Sequence, residues 1–230
     1  MTKKKEKKPL AIFDLDGTIF RSSLVIELTD ALISYGVFPA ITKKAIEDYY
    51  QNWLDRKGEY EEYLDMLVEA YNDRIKGVLE NDVIRASEAV IEEQKNRVYR
   101  YTRDLVTQLR NSHLLVAISG SPIEIVKIFA RSWRFDYYFG TVFETKNGVY
   151  TGNMLEQPSQ NKKLLLRSLV EEKGLNLKGS LGVGDTESDI SFLEEVERPI
   201  CFNPNKTLYE KTRQRRWEVV VERKNVIYHL

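Results

Sequence analysis

The chain has 230 residues, with 35 Lys and Arg balanced by 35 Asp and Glu. That length predicts one large domain or one domain carrying a smaller one, and a 42% apolar content with only 12 Gly and 6 Pro excludes a disordered or fibrous chain. Zero formal charge argues against a nucleic-acid wrapper, one cysteine excludes an internal disulfide, and two histidines offer little to a metal, so any chemistry is expected to run on carboxylates.

The first eight residues hold five lysines and one glutamate, and they read as a flexible, solvated basic tail. The apolar run Leu10 to Phe13 that follows is too short for a signal peptide or a membrane span, so a cytoplasmic protein is expected. A short strand over Leu10–Asp16 closes at Gly17. From about residue 22 to 111 the chain is charged and rich in helix formers, punctuated by Gly36, Pro39, Gly58 and Gly77. Leu64, Leu67, Val68 and Tyr71 recur at helical spacing, as do Val83, Ala86, Val90 and Ile91. From 114 onward, strands at Leu114–Ile118, Tyr138–Phe143, Leu181–Val183, Ile200–Phe202 and Val219–Val221 alternate with helices near 122–132, 160–173, 187–196 and 206–216.

This alternation predicts an α/β fold with a doubly wound parallel sheet. Residues 1–20 and 98–230 would form the core, and 21–97 would be a helical cap inserted after the first strand. An insert at that point lies over the carboxyl ends of the strands, where open α/β sheets bind ligands.

Asp14 and Asp16 are two apart on an extended segment, so both carboxylates point to one site as the strand ends, and Gly17 permits the turn that follows. Far downstream an apolar run ends in Gly184-Asp185, and Asp189 follows one helical turn later. Read alone, Asp189 is a first-turn acid complementing a helix dipole. Converging with the other acids, it would need a cation, and an oxygen-only site suits Mg²⁺. Val116–Pro122 ends a strand and opens a helix. Ser119 and Gly120 there could cradle an oxyanion, while Ser-Gly-Ser-Pro is also an ordinary helix start with Ser121 as N-cap. The cap-region aromatics Tyr49, Tyr50, Trp53, Tyr60, Tyr63 and Tyr71 read as helix packing, with a leaving-group pocket as the sharper alternative. His113, His229 and Cys201 read as structural.

Taken together, these residues resemble the haloacid dehalogenase-like superfamily, in its phosphoserine-phosphatase-like branch. Asp14-Leu15-Asp16-Gly17-Thr18 is similar to the first motif, Ser119 to the second, Lys162 to the third and Gly184-Asp185 with Asp189 to the fourth. Gly58–Leu64 is similar to a stretch of that branch's cap. The resemblance implies a phosphatase acting on a small phosphomonoester through an aspartyl-phosphate. Asp14 would be the nucleophile and Asp16 the acid and base. Ser119, Gly120 and Lys162 would hold the phosphoryl group. Asp14, the Asp16 carbonyl and Asp185 would hold Mg²⁺, with Asp189 behind them.

The substrate readers depart from the branch. Ser23 stands where its phosphoserine phosphatases carry a glutamate, Leu67 where they carry a cap arginine, and Ser188 where an asparagine precedes the last aspartate. Arg56 or Arg74 are alternative sources of the missing charge. Phosphoserine phosphatase proper and phosphomutase remain alternatives within the superfamily, and a phospho-aspartate receiver or an inactive binding scaffold outside that chemistry. The expected partner is a small phosphorylated metabolite, with no nucleic acid or membrane, for a monomer or homodimer.

Overall fold

The structure is a computed structural model that describes residues 8–230. The lysine tail falls outside the described residues except for Lys8, which is exposed. β1 (Leu10–Asp14) is apolar up to its last residue and buried along its whole length, as suits a central strand covered on both faces. It lies between β2 (Leu114–Pro122) and β5 (Leu181–Gly184), parallel to both. With β3 (Tyr137–Lys146), β4 (Val149–Glu156), β6 (Arg198–Phe202), β7 (Glu218–Arg223) and β8 (Val226–His229), the sheet runs in the order β4-β3-β2-β1-β5-β6-β7-β8.

The expected parallel sheet is present from β3 to β7, but both edges are antiparallel. At one edge Asn147 and Gly148 both have positive φ, 54° and 74°, which is the chemistry of a tight two-residue hairpin. β4 and β8 were not expected; both are largely half-exposed or exposed, and β8 is only four residues long, so their apolar pattern is weak.

Side chains of the central strands alternate between two clusters. Ala11, Phe13, Leu115 and Ala117 face α1 (Leu24–Ser34), α3 (Tyr60–Ile75), α4 (Glu80–Gln94) and α6 (Ile123–Ser132). Leu10, Ile12, Val116 and Ile118 face α7 (Lys162–Glu172), α8 (Ile190–Leu193) and α9 (Lys206–Arg215). The expected helix near 187–196 is only the turn Glu187–Asp189 followed by α8.

Between β1 and β2 the chain forms α1, α2 (Ile41–Leu54), α3, α4 and α5 (Arg100–Leu109). Helical spacing of Leu67, Tyr71 and Ile75 buries one face of α3, and Glu59 and Glu62 close a reciprocal capping box at its start. Buried residues of α1, α3 and α4 belong to the same cluster as Phe13 and Ala117 of the sheet. The α3–α4 connection is stitched to β4: Gly77 N–H donates to the Tyr150 carbonyl at 2.8 Å, Tyr150 N–H to Val78 at 2.9 Å and Glu80 N–H to Gly148 at 2.9 Å. Among the described residues, no helix is long and apolar enough to cross a membrane.

Candidate active site

β1, β2 and β5 end side by side, at the point where chain connections leave the sheet in opposite directions. Asp14 is the last residue of β1 and is 5% exposed. Its Oδ1 accepts from Lys162 Nζ at 2.6 Å, whereas its Oδ2 is buried with no hydrogen-bonding partner among the described residues. Lys162 is the first residue of α7, which Asn161 caps by accepting the Leu164 N–H. The lysine is 2% exposed and also donates to Asp189 Oδ1 at 2.6 Å. Asp189 Oδ2 in turn accepts the backbone N–H groups of Asp185 at 2.9 Å and Thr186 at 3.0 Å. One Asp189 oxygen thus caps a turn while the other fixes the lysine.

Asp185 follows β5 and accepts from the Thr18 hydroxyl at 3.0 Å. Gly17 sits against it with φ of 79°, and a Cβ there would lie 2.1 Å from Asp185 Oδ2. Asp14, Asp185 and Asp189 each offer a carboxylate oxygen within 4.8 Å of the others. Burial raises the Asp14 carboxyl well above its usual range; Lys162 lowers it in part, and Asp189 and Asp16 raise it again. Burial likewise raises Asp185, reinforced by Asp14 and Asp189. Burial alone would lower Lys162, but the two aspartates outweigh it and hold the ammonium above its usual value. One lysine facing three carboxylates, of which Asp14 and Asp189 are buried and Asp185 is partly exposed, leaves an excess of negative charge.

Asp16 turns to a different set of donors. Its carboxylate accepts from the Ser119 hydroxyl, from Ser121 Oγ at 3.1 Å, from the Leu24 N–H at 2.5 Å and from Ser23 Oγ at 3.3 Å. Ser121 is not a helix cap. Pro122 holds the N-cap position of α6, and Ser121 Oγ instead accepts the Val25 N–H at 3.0 Å while donating to Asp16. The sequence carries a signal for this role: Ser119 and Ser121 are two apart at a strand end, as Asp14 and Asp16 are.

A cavity of about 290 Å³ opens over these groups, bounded by Asp14, Asp16, Gly120, Lys162 and Asp185. Ser23 and Ser188 line it, Ser188 sharing a 2.9 Å hydrogen bond with Thr186. Leu67 does not; it is buried in the core, and neither Arg56 nor Arg74 reaches the cavity. Lys162 is the one basic side chain among the described lining residues. Of the six aromatics, Tyr71 lines this cavity. Tyr50, Trp53, Tyr60 and Tyr63 pack on one another, with neighbouring rings 5.2–6.2 Å apart, and border a second cavity of about 620 Å³ on the other flank of Asp185. Asn205, also unanticipated, bridges the helices to the core by donating to Glu61 at 3.0 Å and to Glu187. Cys201 is buried in β6, where burial pushes its thiol up to about 12, consistent with inert packing. Neither His113 nor His229 borders either cavity.

The family model described as haloacid dehalogenase-like hydrolase matches residues 11–194. A phosphoserine phosphatase of Mycobacterium tuberculosis is 28% identical over 127 residues, covering 54% of this chain and 41% of that protein. The chain thus spans less than half the length of the first curated relatives it matches. A histidinol-phosphatase of Neisseria meningitidis serogroup C is 24% identical over 229 residues, covering 93% of this chain and 98% of that protein. A solved phospho-aspartyl intermediate analogue of phosphoserine phosphatase shares the fold with a TM-score of 0.63 at 21% identity, covering 95% of each chain.

Proposed function

The chain belongs to the haloacid dehalogenase-like hydrolases, and from that premise we propose that it is a cytoplasmic, Mg²⁺-dependent phosphatase that hydrolyses a small phosphomonoester through an aspartyl-phosphate. The observation that carries the reading is Asp14. It is a buried carboxylate fixed on one oxygen by Lys162, with the other oxygen unpartnered beside a cavity.

An Asp14 carboxylate oxygen attacks phosphorus as the bond to the leaving alcohol breaks. Asp16 gives its proton to the departing oxygen, then takes one from the water that attacks phosphorus and frees Asp14. Ser119, the Gly120 N–H and Lys162 hold the phosphoryl oxygens. Ser119 donates to Asp16 in this structure, so a phosphoryl oxygen that takes over its hydroxyl releases Asp16 toward the leaving group. Asp189 positions Lys162 and the turn that carries Asp185. The helices of residues 21–97 would act as the cap that covers the leaving group.

The site fits Mg²⁺: the Asp14 oxygen without a partner, the all-oxygen donor set and the excess negative charge each favour a hard dication. The Asp14 and Asp185 carboxylates and the Asp16 carbonyl would hold it. Asp189 is engaged by Lys162 and two backbone N–H groups and would stand behind. Bound there, Mg²⁺ would neutralise the phosphoryl oxygens and ease the approach of one anion to another.

EDTA should abolish turnover of p-nitrophenyl phosphate and Mg²⁺ should restore it; metal-independent turnover would remove the role of Asp185. Melting gives a second readout. Carboxyls raised above their usual value of 3.8 contribute stability at low pH and lose it as pH rises. The metal-free protein should therefore weaken as pH rises above 3.8, and the gain from saturating Mg²⁺, about 2.7 kcal/mol at a hundredfold excess over Kd, should grow in the same direction. A gain independent of pH would contradict the ligand set. Gly17→Ala should raise the Mg²⁺ concentration for half-maximal activity about tenfold or more, because its methyl displaces Asp185. An unchanged Mg²⁺ dependence would show that Asp185 is not a ligand.

A further inference from the structure

Resting on that phosphatase reading, we infer that the leaving group is a small alcohol that carries a protonated amine and no carboxylate. α3 presents one stripe to the cavity, with Glu61, Leu64, Asp65, Val68, Tyr71 and Asn72 at helical spacing. Leu64 and Val68, together with Phe143 and Met154 from the sheet, give the cavity an apolar lining. The carboxylates of Glu61 and Asp65 give the cavity a negative side, and Glu187 adds to it from the core.

Two independent observations point to what that side receives. The Tyr71 side chain borders the cavity and is 2% exposed, yet its hydroxyl has no hydrogen-bonding partner among the described residues. A buried hydroxyl left unpaired costs stability unless a ligand completes it. Behind it stands Glu124, whose Oε1 accepts from Tyr150 at 2.7 Å and whose buried Oε2 has no partner. The charge of Glu124 and the burial of Tyr71 both resist ionisation of that phenol, so Tyr71 meets a ligand as a neutral hydroxyl able to accept from an ammonium. Lys162, the one basic side chain among the described lining residues, is consumed by Asp14 and Asp189. A substrate carboxylate would thus enter a negative cavity with no uncommitted basic side chain among the described lining residues, whereas an ammonium finds acceptors.

Three phosphate esters isolate each group. O-phosphoethanolamine has the amine, ethyl phosphate lacks it, and O-phosphoserine has the same amine with a carboxylate added. With saturating Mg²⁺, kcat/KM should be about tenfold higher for phosphoethanolamine than for ethyl phosphate, and at least about tenfold higher than for phosphoserine. Asp65→Asn should narrow the first ratio toward unity, and Asp65→Lys should raise phosphoserine relative to phosphoethanolamine. Tyr71→Phe should raise KM for phosphoethanolamine more than it lowers kcat. Phosphoserine equal to or better than phosphoethanolamine, or ethyl phosphate equal to it, would overturn the inference while leaving the phosphatase reading intact. Failure of all three esters and of p-nitrophenyl phosphate would overturn that reading, and the inference with it.

Discussion

Asp14→Asn should lower kcat on p-nitrophenyl phosphate by at least about 10³-fold, because the amide cannot form the acyl-phosphate on which turnover depends. The fold should survive. The Asp14 carboxyl is already held well above its usual range by burial, Asp189 and Asp16, so a neutral side chain of the same shape relieves repulsion while retaining an oxygen for Lys162. Thermal melting should therefore show a metal-free variant about as stable as the parent, and Mg²⁺ should stabilise it less. Substantial turnover by a folded Asp14→Asn protein would end the nucleophile assignment. Loss of folding along with activity would show instead that the carboxylate is a structural element of the site.

Lys162→Met should act on both properties. The ammonium is 2% exposed and is the shared partner of Asp14 and Asp189. Removing it leaves two buried carboxylates facing one another, and stripping one partner from a buried pair costs about 3–5 kcal/mol. For a chain of this size that lowers Tm by roughly 6–20 °C. The loss has a defined pH dependence. Lys162 is held above its usual value, so it stays charged wherever the parent folds. Asp14, already raised, takes up a proton more readily without the lysine, and a raised carboxyl stabilises at low pH and loses that stability as pH rises. The deficit relative to the parent should accordingly shrink toward pH 5 and widen toward pH 8. Equal deficits at both would mean that packing of the lysine stem, rather than its charge, is what matters. Activity should fall with stability, and adding Asp189→Asn should recover stability without recovering turnover.

The parts of the site that were legible in advance are those where local geometry and chemistry coincide. Acids two apart at the end of an apolar run share a face, and a glycine after them admits the turn, so Asp14, Asp16, Gly17 and Asp185 could be read from spacing. Lys162 could not be read from its own surroundings, since a lysine on a helix is ordinarily solvated; its motif company identified it. Ser121 has a good local explanation as an N-cap, and it loses because its hydroxyl lies within reach of Asp16 and Val25, both distant in sequence. Tyr71 and Leu67 sit four apart on the same helix, yet one borders the cavity and the other is core. Periodicity assigns both to the buried side and cannot tell a filled interior from an open pocket. The antiparallel edges were missed for the opposite reason: strands covered on one side only carry a diluted pattern, and the Asn147–Gly148 turn was the stronger clue.

The position of β1 also bears on how the molecule comes to be folded. It is the first of the described strands in chain order, yet its flanks come from distant segments, since Leu10 pairs with Leu114 and Ala11 with Leu181. While the intervening helices are being synthesised, an apolar segment that ends in Asp14 has neither flank to pair with. Such distant pairings close slowly, because loop entropy is lost before contact energy is gained. Asp14 can therefore be set beside Lys162 and Asp185 only once the segments that carry β2, α7 and β5 are all present, so the site and the centre of the sheet depend on the same distant contacts.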